Sequence, residues 1–189
     1  MNRRTIISFS LFFVSVLISY LYVLNGDFIG DDTNRIQFNV ELFSYSAALS
    51  GELCDRPLLM LVITTIVKLF GSSTVYLRLV GILFHALAAV QLYLLTLEIN
   101  EKSESSDKNK IALLVTLLFA LHPLHNQMIT TSIQMAVAMA GFFGLLSLRY
   151  FRKFVKDFSF RQFLFSLLFF AAGILSKPII SFMPFLFLT

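Results

Sequence analysis

The stretch VYLRLVGILFHALAAVQLYLLTL, Val75 to Leu97, decides the fold. An α-helix needs about 20 apolar residues to cross a hydrocarbon core of roughly 30 Å, and this run meets that length. It sits in a chain of 189 residues that is 57% hydrophobic, holds 22 Phe and has only 14% charged residues, with a mean hydropathy of +0.80. Such a chain has too little polar surface to cover a soluble globule. The expectation is an all-α, polytopic transmembrane bundle of about five to six membrane helices plus one interfacial helix.

Toward the C-terminus, Glu98 to Lys110 is rich in Ser, Lys and Glu and reads as a solvated cytoplasmic loop. Apolar runs follow over Ile111 to Leu121 and Met128 to Leu148, joined at His122-Pro123-Leu124-His125-Asn126-Gln127 by a tight external turn. Arg149, Arg152, Lys153, Lys156 and Arg161 then mark residues 149–161 as a cytoplasmic loop, the strongest topology signal in the chain. Gln162 to Leu175 goes out again, Ser176-Lys177-Pro178 breaks it, and Ile179 to Leu188 begins a further helix. A span that stops halfway predicts a longer parent protein.

Toward the N-terminus, Pro57 to Phe70 is short for a span, carries Lys68 and ends at Gly71. It reads as an interfacial or re-entrant helix. Were it to span, the basic segment 149–161 would face the wrong side. Residues 25–74 therefore form an external region in which Asp27, Asp31, Asp32, Glu41, Glu52 and Asp55 outnumber Arg35 and Arg56, with a weak helical pattern over Ile36 to Leu49. Thr5 to Leu24, preceded by Arg3 and Arg4, reads as an uncleaved anchor with a cytoplasmic N-terminus rather than a signal peptide, since it ends on interfacial tyrosines with no small-residue cleavage site.

The formal charge of +4 comes from basic residues clustered between apolar runs, so it implies no nucleic acid. The single cysteine, Cys54, excludes an intrachain disulfide and any CxxC site, and reads as a passive residue.

This topology places Asp31, Asp32, Arg56, His122, His125, Gln127 and Lys177 on one side. For the Asp31-Asp32 pair, Gly-Asp-Asp-Thr-Asn is also good turn and N-cap chemistry. His122 and His125 read as helix-end histidines; a metal would need a third ligand, which Asp31 could supply only by proximity. Arg56 and Lys177 fit snorkelling or helix-flanking charges, although the flanks of Lys177 are apolar. His85 lies inside a span, where a helix–helix hydrogen bond is favoured over catalysis.

Asp31-Asp32 in the first external loop, then Arg56-Pro57-Leu58, Leu69-Phe70-Gly71 and Leu83-Phe84-His85-Ala86-Leu87, resemble the start of membrane glycosyltransferases of the GT-C class. Leu118-Phe119-Ala120-Leu121-His122-Pro123-Leu124-His125 and Leu175-Ser176-Lys177-Pro178 with Pro184 are similar to the protein O-mannosyltransferase-like, TMTC-type proteins. The resemblance covers nearly the whole chain in order and implies that residues 1–189 are the N-terminal portion of one GT-C-like domain. It implies a membrane enzyme of the bacterial inner membrane or endoplasmic reticulum, active on the periplasmic or lumenal face. Such an enzyme moves a sugar, mannose among the candidates, from a polyprenyl-phosphate donor to a hydroxyl of a protein or glycan acceptor, without a cofactor.

Asp31 or Asp32 would be the general base, and the family's pattern selects the first. Arg56, Lys177, His122 and His125 would hold the donor phosphate. Where the TMTC-type pattern has Glu, an aromatic and Arg after the second histidine, this chain has Gln127, Thr131 and Met135. A lipid-linked polysaccharide polymerase or ligase, and a non-catalytic membrane scaffold or accessory fragment, stay open as alternatives.

Overall fold

The computed structural model describes residue 14 and residues 18–37, 43–51, 55–101 and 107–187, without the side chains of 185–187. Most of the Thr5–Leu24 anchor, together with Glu41, Glu52 and Cys54, lies outside the described residues. The described residues are all-α. After a short 3-10 turn at Leu21–Val23 come α1 (Asp31–Arg35), α2 (Tyr45–Ser50), α3 (Pro57–Phe70), α4 (Thr74–Ile99) and α5 (Lys108–Ala120). Then follow α6 (His125–Thr130), a 3-10 turn at Ser132–Gln134, α7 (Met135–Asp157), α8 (Phe160–Ser176) and a 3-10 segment Pro178–Phe187.

Among the described residues, two helices are long and apolar enough to cross a membrane, Thr74–Ile99 and Ser132–Asp157. Pro57–Phe70 and Phe160–Ser176 are shorter apolar helices. The bounds of α3 are those read from Pro57 and Gly71: proline fits a first helical position, and Gly71, at φ 77° and ψ 177°, ends the helix in a backbone conformation open to glycine.

The helix α4 buries a stripe at Leu77, Gly81, Ile82, His85, Ala86 and Ala89, spaced so that one face points inward. Against it α7 sets Met135, Ala136, Ala138, Met139 and Ala140. The small residues let the two helices approach closely, and Met135 packs beside Gly81. One core cluster joins Met60 and Ile63 of α3 to Leu77 and Met139. A second joins Ile82 and Ala86 to Ala120, Ile129 and Ala138.

The basic segment 149–161, read from sequence as a loop, is helical through Asp157 and again from Phe160. Phe158, at φ 49°, makes the turn that folds α8 back along α7. The helices persist because their residues pack. Tyr150 stacks on Phe169, and Phe143 stacks on Phe169 as well. Ser147 donates to the Ser166 carbonyl at 2.9 Å while Ser166 donates to the Ser147 carbonyl at 3.0 Å. In an apolar pair such reciprocal bonds fix register.

The final apolar stretch forms a 3-10 segment, Pro178–Phe187, rather than a regular α-helix, with Pro184 inside it. Proline supplies no backbone donor there. Ile180 lies against Gly173 so closely that any side chain at 173 would collide with it.

Candidate functional site

The site is assembled at the end of the bundle where α4 and α7 begin and α8 finishes. Its first element is the loop after Leu24. The Arg78 guanidinium, one turn inside α4 and almost fully buried, donates to the carbonyls of Val23 and Gly26 at 2.6 Å each and of Asp27 at 2.5 Å. Three loop carbonyls that would otherwise lose their water are thereby satisfied by one fixed fork of donors.

Gly30, at φ 57°, then turns the chain into α1. Glycine adopts that backbone without steric cost. The two aspartates that follow part company. Asp32 is fully buried, and its carboxylate accepts from the backbone N–H of Ser132 at 2.6 Å and of Ile133 at 2.8 Å. Those are the first orphan donors of the helical run Ser132–Asp157, so Asp32 caps that run from 100 residues away in sequence. Its negative charge also meets the positive end of the helix dipole. Burial raises the Asp32 carboxyl above the usual carboxylate range, opposed by these two N–H groups and by Arg78.

Asp31 is exposed. With Ile29 and Gly30 it forms one wall of an open cavity of about 480 Å³. The other wall is Asn126, Gln127, Thr130, Thr131 and Gln134. Thr131 is extended, at φ −107° and ψ 119°, between α6 and the 3-10 turn. The break that Asp32 caps is thus also what turns α6 across the cavity.

Beyond Gln134 lie the basic residues. Lys177 donates from Nζ to Gln134 Oε1 at 3.1 Å. Burial first, and the charge of Arg56 second, push the Lys177 ammonium below the usual lysine range. Arg56 approaches Asp55 at 3.8 Å, while its buried Nε has no hydrogen-bond partner. A buried, unpartnered donor on a cation suits an anion, which would accept the free N–H.

The histidines stand apart from this arrangement. His125 packs its ring on Phe119 at 4.7 Å and on His85 at 4.8 Å, with exposed His122 at 6.0 Å. Burial lowers the His125 pKa most; the Phe119 carbonyl acts in the opposite sense, and His122 lowers it further. His85 Nε2 bonds the Ala120 carbonyl at 3.0 Å, which is the helix–helix hydrogen bond expected of it. Tyr20 donates to the same carbonyl at 2.7 Å. Among the described residues no group of three or more His, Cys, Asp and Glu is placed to hold a metal ion.

Asp31 and Gln134 thus line one cavity, Lys177 is bonded to Gln134, and Asp32 supports the wall from beneath. Of the three positions that depart from the TMTC-type pattern, Gln127 and Thr131 line the cavity and Met135 is buried in the core. Arg78 and Gln134 join the site from outside the residues that the sequence singles out. Arg78 carried a signal, since a charge inside an apolar span marks a committed role; Gln134 carried none. No protein-family model, curated protein or solved structure matches the chain.

Proposed function

We propose that the chain is the catalytic-face portion of a GT-C-like membrane glycosyltransferase that moves a sugar from a polyprenyl-phosphate donor to an acceptor hydroxyl. The observation that carries this reading is an exposed carboxylate, Asp31, facing an open polar cavity whose opposite wall leads through Gln134 to Lys177 and Arg56. Base and anion holders are what this reaction needs. Asp31 takes the proton of the acceptor hydroxyl as its oxygen bonds to the anomeric carbon, and the bond from that carbon to the phosphate oxygen breaks. The departing polyprenyl phosphate carries the new charge, which Lys177 and Arg56 stabilise. Attack opposite the leaving group inverts the sugar carbon.

Residence in a membrane is part of the same reading. Leu113, Leu114, Val115 and Leu118 on α5, and Leu164, Leu167 and Leu168 on α8, expose large apolar side chains. Neighbouring exposed leucines on two helices suit contact with acyl chains better than water. Arg149, Arg152, Lys153 and Lys156 lie at the end of α7 opposite the cavity. A cytoplasmic position for them puts the cavity on the periplasmic or lumenal face.

The test is sugar transfer from polyprenyl-phosphate mannose by the full chain in lipid vesicles. Asp31→Asn is expected to lower the rate about 10²- to 10⁴-fold, the usual contribution of a positioned base, with membrane insertion intact. Asp32→Asn is expected to lower the amount of folded protein instead. Full transfer by Asp31→Asn would overturn the reading.

A further inference from the structure

We propose that the turn between α7 and α8 is an anchor for the anionic headgroups of a membrane leaflet, with the Phe158 ring at headgroup level and Arg152, Lys153 and Arg161 on the lipid phosphates. The inference rests on residence in a membrane and is independent of sugar transfer. Phe158 makes the turn at φ 49°, a left-handed backbone that is strained for a large side chain and free for glycine. A ring that served the core would offset that strain by burial. Phe158 is instead 81% exposed, more than any other large apolar side chain among the described residues, and Phe160 just past the turn is 69% exposed. The Phe158 ring meets Phe154 edge-on with centroids 6.3 Å apart, and most of it is open. Strain and open apolar area thus coincide at one residue, and contact with lipid removes the second.

The charges around the turn name the partner. Arg149 and Lys156 are taken by Glu98 and Glu101, whereas among the described residues no ion pair takes Arg152, Lys153 or Arg161. Asp157 is the one carboxylate between positions 149 and 161. Lys153 lies over the Tyr150 ring at 5.3 Å and Arg161 over the Phe165 ring at 5.5 Å, so two of the three cations are held against aromatic surface. Rings edged by cations suit a boundary where an apolar layer ends in phosphates. The apolar strip also continues away from the turn. Phe160, Leu164, Leu167 and Leu168 are all exposed and recur at helical spacing, so they share one face of α8. A surface that runs unbroken from the charged turn along a membrane-length bundle fits a leaflet better than a protein docked at the tip.

Helix length sets the depth. The helical run Ser132–Asp157 has 26 residues; at about 1.5 Å per residue it is about 39 Å long, beyond a hydrocarbon core of roughly 30 Å. Its excess falls at the charged end, because cations are the costliest groups to leave in hydrocarbon. Arg152, Lys153 and the turn at Phe158 therefore reach the headgroups, on the side opposite the cavity.

The chain has no tryptophan, so Phe158→Trp supplies a single fluorescent reporter at the turn. The full chain is placed in phosphatidylcholine vesicles, to which phosphatidylglycerol or phosphatidylcholine brominated near the headgroup end of the acyl chains is added in steps. The introduced indole is expected to emit to the blue of its position in water and to be quenched by both lipids. Half-quenching should need about fivefold less brominated phosphatidylglycerol than brominated phosphatidylcholine, the effect of about one cation at an anionic surface. Adding Arg152→Gln, Lys153→Gln and Arg161→Gln should bring the two curves together while the emission stays blue. Coincident curves before those changes overturn the anionic partner. Emission at the position found in water overturns the anchor, and so does blue emission that neither lipid quenches, since protein would then cover the ring. Each of these results leaves membrane residence and the transferase reading standing. Failure of the chain to float with the vesicles overturns membrane residence and the anchor together. Should Phe158→Trp unfold early, Phe160→Trp reports from the same surface with the same lipids and criteria.

Discussion

The two ends of the bundle treat charge in opposite ways. At the end where α4 finishes, Arg149 of α7 donates to Glu98 at 2.6 Å and 3.1 Å and also to Gln91, and Lys156 meets Glu101 at 3.0 Å. Cation and carboxylate are matched, and the helices are fastened there. At the other end Arg56 meets Asp55 only at 3.8 Å, Lys177 bonds the neutral Gln134, Asp31 stands exposed at a cavity and Asp32 is committed to backbone N–H groups. The paired end is satisfied by the fold alone; the other end leaves the buried Arg56 Nε without a hydrogen-bond partner.

Substitutions can break this contrast. The largest expected effect on stability is that of Arg78→Ala, which strands three loop carbonyls; a loss of roughly 2–4 kcal/mol is expected, read by thermal unfolding in detergent. Transfer activity should fall with it, because the loop bearing Asp31 is released. An Arg78→Ala protein of parental stability would show that the loop is held by something else. Next, Glu98→Gln leaves Arg149 a weaker partner and should cost about 1–2 kcal/mol without changing transfer by the folded protein. A rate loss beyond the stability loss would mean that the fastened end also shapes the site.

The pH dependence sharpens the other side. Lys177 has its pKa lowered by burial and by Arg56, so it loses its proton as pH rises sooner than an ordinary lysine does. Affinity for bare polyprenyl phosphate should therefore decline at moderately alkaline pH. Lys177→Arg, whose guanidinium keeps its charge, should extend binding to higher pH. Coincident profiles for the two proteins would remove Lys177 from the phosphate. The smallest effect is expected from Lys156→Ala. Its pair with Glu101 is exposed at 68% and 66%, and exposed pairs contribute about 0.2–1 kcal/mol.

Much of the helical layout was legible. Proline and glycine punctuate α3, and the apolar length of Val75 to Leu97 lies wholly within α4. The basic run at 149–161 was misread because local charge cannot show that Arg149 finds Glu98, or that Tyr150 finds Phe165 and Phe169. The candidate site was legible in part. Its residues were picked out by charge and position, and Asp31, Arg56 and Lys177 do lie at one end with Gln134 and the cavity wall. The histidines were picked out by the same signal, and the structure sets His125 beside His85 and Phe119, with His122 next to His125.

By itself, the sequence determined an apolar, all-helical chain with its unusual polar residues gathered at helix ends. Hydropathy and punctuation are local properties, and they suffice for that much. Tertiary structure gave two adjacent carboxylates different surroundings. Asp31 and Asp32 are chemically identical neighbours in the chain, yet one faces a cavity and the other caps a helix 100 residues away. That choice depends on where the N–H groups of Ser132 and Ile133 come to rest. Long-range packing sets their position, and no local pattern carries it.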